Sequence, residues 1–564
     1  MEKFSQMPYR RPDLAAAKAL IETTAEKIRS AQTAKSALEA HAAYRAESAD
    51  LETMYTLASI RNTMNTLDEY YEGEMNFFNE NLPALSVAEK AVSAAILESP
   101  FVDAFRDAYG ELWLHDLRVA QRLADEKIVP EQIEQAKLCQ GEYSKTVAAC
   151  ETEFRGENCN FYALLKHMQS ADREERREAF LAWSRLYESV SDKLDEQYSA
   201  LVALRCRMAE KLGYKNYIEM AYEMHSRYDY TPQDVAAFRD EVRRVITPLC
   251  EKLYEQQRKR LGVDKLHWYD EALVFPQGNP TPHGTMEQMV DAAQKMYRSL
   301  SPQTGEFFDF MKQYELFDLC TRPGKHMGGY CTYLPAYGAP FIFSNFNGTS
   351  ADVDVLTHEA GHAFEAFTAA KCVPTMDLIW STSEINEIHS MTMELLTYPY
   401  MDLFFGEDAE NYRYAHLCDC LCVIPYLCCV DEYQHKVFEH PEMTPAQRRA
   451  AWRESEKSLM PWRDYEGSDF LQNGGFWMQK QHIFLYPFYY IDYALAQLCA
   501  FRLNADYCKD RESGWQRYLA LCRSGGTKGY FETLRAAGLR PLFEKGAVEE
   551  AVAPVAQMLH IDME

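Results

Sequence analysis

Asp354-Val355-Leu356-Thr357-His358-Glu359-Ala360-Gly361-His362 decides the reading of this chain. Helical patterning begins at Asp354, and His358 and His362 stand four residues apart, so both imidazoles project from one helix face. Two imidazoles placed in this way can bind one Zn²⁺ at ~2.0 to 2.1 Å, while Glu359 between them points beside a water held at the metal. That spacing is the one a metallopeptidase uses. The plainer reading is a helix with solvated histidines, and a third ligand decides between the two.

Upstream the texture differs. Gly328-Gly329-Tyr330-Cys331-Thr332-Tyr333 and Pro340-Phe341-Ile342-Phe343-Ser344-Asn345-Phe346-Asn347-Gly348 are short aromatic and β-branched runs broken by Gly and Pro. They predict a small β-hairpin or sheet edge directly before the histidine helix. Almost everything else reads as helix. Leu14, Ala17, Ile21, Ile28 and Ala31 recur at three-to-four spacing, and Asp172-Arg173-Glu174-Glu175 loads acid into the first turn of a block marked by Phe180, Trp183 and Tyr187. Phe275 to Gly284, rich in Pro and Gly, is expected as a surface connection. The fold class is therefore mainly α with one small sheet beside the histidine helix.

Composition narrows the function. The chain has 564 residues, 47% hydrophobic and 26% charged, which is the balance of a globular protein able to bury a large core. Its 59 Lys plus Arg against 85 Asp plus Glu give a net charge of −26, which repels phosphate backbones and anionic lipid, so neither nucleic acid nor membrane is an expected partner. The apolar stretch Ile483 to Phe501 is interrupted by Pro487, Asp492 and Gln497 and reads as a buried helix. No obligate protein partner is indicated. The 16 cysteines follow a start, Met1 to Leu20, without an apolar signal segment, and the expected compartment is the reducing cytoplasm. Cys418, Cys420, Cys422, Cys428 and Cys429 fall in an apolar helix-like run, where Cys acts as a small hydrophobe and not as part of a thiolate metal cluster.

A catalytic zinc takes three protein ligands, and Glu384-Ile385-Asn386-Glu387-Ile388-His389-Ser390-Met391-Thr392-Met393-Glu394 offers three carboxylates on a second helical pattern. Glu387, 25 residues after His362, is the expected ligand, because the chain has room to turn near Pro374 and return antiparallel. Glu394 is the expected acceptor for the other N–H of a ligand histidine, which would fix its tautomer. His389 is expected as a hydrogen-bonded neighbour, with a ligand role as the alternative. Tyr490 and Tyr493, three apart on one helix face, could aim their phenols at a common point, with His482 roughly two turns upstream.

These motifs resemble the zinc metallopeptidases that include thimet oligopeptidase and neurolysin, and within them the oligoendopeptidase F branch. His358-Glu-Ala-Gly-His362, Glu387-Ile-His-Ser-Met-Thr-Met-Glu394, and His482 followed by Pro487-Phe-Tyr-Tyr-Ile-Asp-Tyr493 occur in that family's order. Arg207-Met-Ala-Glu-Lys-Leu-Gly-Tyr-Lys-Asn-Tyr217 and Leu266-His-Trp-Tyr-Asp270 resemble further family segments, so the likeness covers roughly residues 160 to 550. It implies an α-helical ellipsoid divided by a deep substrate channel, with residues 1–160 forming part of the channel wall and residues 161–564 the catalytic region. It further implies one Zn²⁺ per chain on His358, His362 and Glu387, Glu359 as general base, and His482, Tyr493 and either Tyr489 or Tyr490 as partners of the oxyanion. Short, unstructured peptides would be cut internally, with Ser344, Asn345, Phe346, Asn347 and Gly348 as the strand edge to which an extended substrate adds. The alternatives are a helical zinc carboxypeptidase or dipeptidyl carboxypeptidase, and a non-catalytic peptide-binding protein. Intact His358, Glu359, His362 and Glu387 argue against the last, since a binder needs no general base.

Overall fold

Asp13, Thr33, Asp68 and Asp172 each accept backbone N–H bonds with their side chains at the start of a long helix, satisfying donors that a helix leaves unpaired. The helices used below are α1 (Leu14–Arg29), α2 (Ala34–Met64), α3 (Glu69–Leu97), α4 (Arg173–Lys211), α5 (Ala351–Ala369), α6 (Ser383–Leu396), α7 (Ala409–Glu439), α8 (Tyr490–Lys509) and α9 (Arg511–Ser524). The strands are β1 (Thr152–Phe154), β2 (Glu157–Cys159), β3 (Phe317–Cys320), β4 (Tyr330–Leu334) and β5 (Ala339–Phe346). The computed structural model describes residues 1–563. It is 71% helical and 4% strand, which makes the protein mainly α as its patterning predicts.

The chain forms two compact units, each assembled from separated stretches. The first comprises Met1–Ile133, Pro282–Gly406 and Leu503–Leu539. Of the stripe read from sequence, Ile21 and Ile28 are buried and Leu14, Ala17 and Ala31 half-buried, with Ile21, Ala25 and Ile28 of α1 packed among Ala37 and Tyr44 of α2 and Val92, Ala95 and Ile96 of α3. Burying side chains of this kind contributes ~1.5 to 3 kcal/mol for each large aliphatic one. The same unit holds the sheet β3-β5-β4, in which β4 pairs antiparallel and β3 parallel with β5. Gly338, at φ +61°, closes the tight turn between β4 and β5.

The second unit comprises Glu134–Thr281, Glu407–Arg502 and the chain from Arg540 onward. It contains α4, whose Phe180, Trp183 and Tyr187 are all buried as their spacing predicts. It also contains a hairpin, β1-β2, that the sequence did not reveal. Strands of three residues are too short to show alternation, and only the left-handed pair Arg155-Gly156 at the turn hints at them. The five clustered cysteines lie along α7, where Cys420, Cys428 and Cys429 are buried and burial pushes the Cys428 thiol upward. All sixteen cysteines are free thiols. By length and mean hydropathy (1.3) the segment Asp402–Glu439 could cross a membrane, but 61% of its apolar window is buried, as in a core helix.

The sheet order bears on the expected substrate strand. β5 is the middle strand, but β4 pairs with it only as far as Phe343, so Ser344, Asn345 and Phe346 have a strand neighbour, β3, on one side alone. Their polar groups and those of the next turn are already engaged: the Ser344 carbonyl accepts from Lys325 Nζ (2.5 Å), and Asn345 Nδ2 donates to the carbonyls of His326 and Gly328 (2.9 Å each). The amides of Asn347 and Gly348 donate to the Asp352 carboxylate (2.8 Å each), tying the turn to the start of α5. The periodicity showed a strand and could not show how many neighbours it has. The sheet's edges are β3 and β4.

Candidate active site

Helices α5 and α6 pack so closely that side-chain bulk has no place at their crossing. A Cβ at Gly361 would lie 2.5 Å from Ser390 Cα and 3.0 Å from the His389 carbonyl oxygen. Gly361 therefore does what no other residue in the motif does: it lets the two backbones approach until the donor side chains of one helix meet those of the other. Gly361→Ala is expected to force the helices apart, at a cost of ~1 to 3 kcal/mol for overpacking. A lowered Tm together with weakened zinc affinity, read by thermal denaturation and metal titration, would show it; unchanged zinc affinity would contradict it.

At this crossing the donor atoms of His358, His362 and Glu387 converge, all within 4.8 Å of one another. Glu387 Oε2 lies 3.2 Å from His358 Nε2 and 3.4 Å from His362 Nε2. A tetrahedral ion with bonds of ~2.0 to 2.1 Å has ligand-to-ligand edges of about 3.3 Å. Nitrogen and oxygen donors at that spacing fit zinc. Glu394 Oε1 lies 2.6 Å from His358 Nδ1, so the proton belongs on Nδ1 and the Nε2 lone pair is left for a metal. Ser390 Oγ donates to Glu387 Oε2 (3.0 Å) and steadies the carboxylate, whose side chain is only 1% exposed.

The electrostatics follow from packing two histidines among carboxylates. Burial alone would push the His358 imidazole down, but Glu387 and Glu394 together hold it well above its ordinary value in the metal-free chain. For Glu387 burial would raise the carboxyl, yet His362 and His358 keep it well below the usual carboxylate range. Glu359, on the same helix, is pushed up by burial, which its histidine neighbours only partly oppose. Its Oε2 is buried with no hydrogen-bond partner, and Oε1 would lie 3.3 Å from a Cβ at Gly329. Glycine at the entry to β4 thus leaves room beside this carboxylate, and an unsatisfied buried acceptor there suits a group that must take up a proton.

His389 does not join the converging donors. Its ring points to Glu365 of α5, with Nδ1 3.2 Å from Oε2, both side chains fully buried, and the His389 carbonyl accepts from Tyr518 of α9 (3.0 Å). It is a neighbour that braces α5, α6 and α9 through this ion pair and its backbone carbonyl, while neither ring nitrogen makes a hydrogen bond. Glu384 is buried and not part of an exposed acidic face. Sequence reasoning missed Ser390, Glu365 and Tyr518. Ser390 was findable as the residue one turn after Glu387, whereas the others depend on tertiary packing.

His482, Tyr489, Tyr490 and Tyr493 form a cluster of their own in the second unit. The His482 ring lies 4.8 Å from Tyr490, 6.1 Å from Tyr489 and 6.5 Å from Tyr493, and Tyr493 is 5.2 and 5.5 Å from Tyr489 and Tyr490. Lys480 Nζ sits 4.9 Å from the Tyr490 ring centroid. All three phenols remain candidates on this geometry.

Residues 166–552 match Peptidase family M3, and residues 4–124 match the Peptidase M3 N-terminal domain. Among solved structures, the fold is similar over 100% of both chains, at 42% identity and TM-score 0.96, to PZ peptidase A with an inhibitor. It is equally similar, with the same identity, coverage and TM-score, to a protein provisionally assigned as oligoendopeptidase F. A protein from Bacillus anthracis with the same provisional assignment is 37% identical with TM-score 0.91, covering 99% of this chain and 98% of its own. A comparison with curated protein sequences gave no match.

Proposed function

Because the chain belongs to peptidase family M3, in its oligoendopeptidase F branch, and is thus a peptidase, we propose that it is a zinc-dependent endopeptidase that cuts internal bonds of short, unstructured peptides. The observation that carries the proposal is the meeting of His358, His362 and Glu387 at tetrahedral spacing beside the unpartnered carboxylate of Glu359.

His358, His362 and Glu387 would hold one zinc ion per chain. When bound, zinc supplies a Lewis acid that polarises the scissile carbonyl and acidifies water. Glu394 keeps the His358 tautomer correct, and Ser390 keeps the Glu387 carboxylate in place. Glu359 takes a proton from the attacking water and delivers it to the leaving amine, a role that general acid–base groups fill with ~10² to 10⁴-fold effect. The tyrosines are proposed, on the family's residue pattern, to donate hydrogen bonds to the oxyanion as the carbonyl becomes tetrahedral. The sixteen free thiols support a reducing compartment such as the cytoplasm.

End-trimming is the competing reading, and a cation for a substrate's terminal carboxylate would be its mark. Arg463 is engaged with Glu271, its Nη2 2.5 Å from Oε2, whereas Lys480, the other candidate, lies over the Tyr426 and Tyr490 rings. Hydrolysis of a peptide of about ten residues with a free or an amidated C-terminus, mapped by mass spectrometry, separates the two. Internal cuts at equal rates are expected; stepwise loss from the free acid alone would establish a carboxypeptidase.

A further inference from the structure

In the second unit, His225-Ser226-Arg227 packs against the turn at Pro487-Phe488, and the chemistry described so far uses neither. Phe488 is fully buried with φ +66°, a left-handed conformation that a bulky L residue rarely adopts. It lies two residues before Tyr490, where α8 begins. A strained backbone of this kind persists only where its surroundings over-determine it.

Those surroundings are present. The Phe488 amide donates to Gln434 Oε1 of α7 (2.9 Å), and its carbonyl accepts from Arg227 Nη2 (2.6 Å). The preceding carbonyl, Pro487 O, is 2.9 Å from His225 Nε2. The Phe488 ring packs on His435 at 5.0 Å and Phe438 at 5.6 Å. The same Arg227 Nη2 also donates to Asp492 Oδ1 (2.6 Å), both side chains fully buried, and Asp492 stands between Tyr490 and Tyr493. One guanidinium nitrogen thus ties the strained carbonyl before α8 to a carboxylate inside its first turn.

The opposite side of the contact is equally defined. The helix Tyr217–Met224 ends through Ser226 at φ +52°, and the Arg227 amide returns to the Tyr222 carbonyl (2.9 Å), a helix-closing turn that fixes where the arginine starts. Burial, and secondarily Arg227, push the His225 imidazole down to about 3, so the ring stays neutral and keeps a single N–H for Pro487.

We propose that Arg227 is a positioning residue, which by clamping the left-handed Phe488 turn to the first turn of α8 fixes where the phenols of Tyr490 and Tyr493 point. The inference rests on the reading of those tyrosines as oxyanion donors. A purely structural arginine would neutralise Asp492 and nothing more, and its loss would act independently of the tyrosines.

The test is a double-mutant cycle on the full-length protein: wild type, Tyr493→Phe, Arg227→Met and the double variant, with kcat and KM measured on a quenched peptide and zinc content determined in each. Tyr493→Phe is expected to lower kcat roughly 10² to 10³-fold. Arg227→Met is expected to lower it ~10 to 100-fold through misplaced donors, with KM and zinc content kept. The double variant is expected to lose much less than the product of the two. Effects that multiply, or wild-type kcat in Arg227→Met beside a slow Tyr493→Phe, would overturn the clamp alone. Wild-type kcat in both Tyr490→Phe and Tyr493→Phe would overturn the tyrosine reading, and the clamp with it. Should Arg227→Met not fold, Arg227→Lys keeps the charge opposite Asp492 but replaces the planar fork by one ammonium. A fall in kcat is expected there too, and wild-type kcat would overturn the proposal.

Discussion

Glu387→Ala is expected to leave the protein without stoichiometric zinc and without measurable peptide hydrolysis. The side chain is 1% exposed and its Oε2 is the atom on which both histidine Nε2 atoms converge. Loss of a group that merely orients a ligand costs ~10 to 100-fold in metal affinity, so removing a ligand itself should cost more. Metal analysis after dialysis reads the loss directly. A second signature follows from linkage: an ion that binds the native state raises Tm, so chelation should lower Tm in the wild type and leave Glu387→Ala unmoved. Full zinc content in Glu387→Ala would mean that another group completes the site.

The complementary result is expected for Glu359→Gln, which should keep its zinc and lose activity. The substitution preserves shape and removes the proton acceptor. As the proposed general base the carboxylate would contribute ~10² to 10⁴-fold to kcat, which corresponds to ~2.7 to 5.4 kcal/mol of barrier. Zinc content and KM should stay near wild type, because Glu359 is not among the converging donors. Tm should not fall either, since the change removes a buried carboxylate whose Oε2 has no hydrogen-bond partner. An active Glu359→Gln variant would assign the proton transfer to another group. Together the two variants separate binding of the metal from use of the water.

How much of this was written legibly in the sequence depends on whether a feature is local. Helical spacing placed His358 and His362 on one face, and the acidic run Glu384 to Glu394 supplied Glu387 and the Glu394 acceptor that the structure sets 2.6 Å from His358 Nδ1. Those are properties of single helices. Gly361 shows where that legibility ends: the motif prints a glycine, but only the approach of Ser390 Cα says why. Ser344–Gly348 shows the same limit for sheets, because strand character is periodic whereas the point at which β4 stops pairing, at Phe343, is a matter of topology. The hairpin β1-β2 was too short to leave a pattern. Arg227 was invisible for a different reason, since its partners Phe488 and Asp492 lie more than 250 residues away.

The central claim is metal-dependent internal cleavage, and one measurement reaches it most directly: hydrolysis of a quenched peptide of about ten residues by the purified protein, before chelation, after chelation and after zinc is returned, with products identified by mass. Internal cuts that disappear with the chelator and return with about one zinc per chain are predicted. Internal cuts that persist in the zinc-free protein would contradict the account.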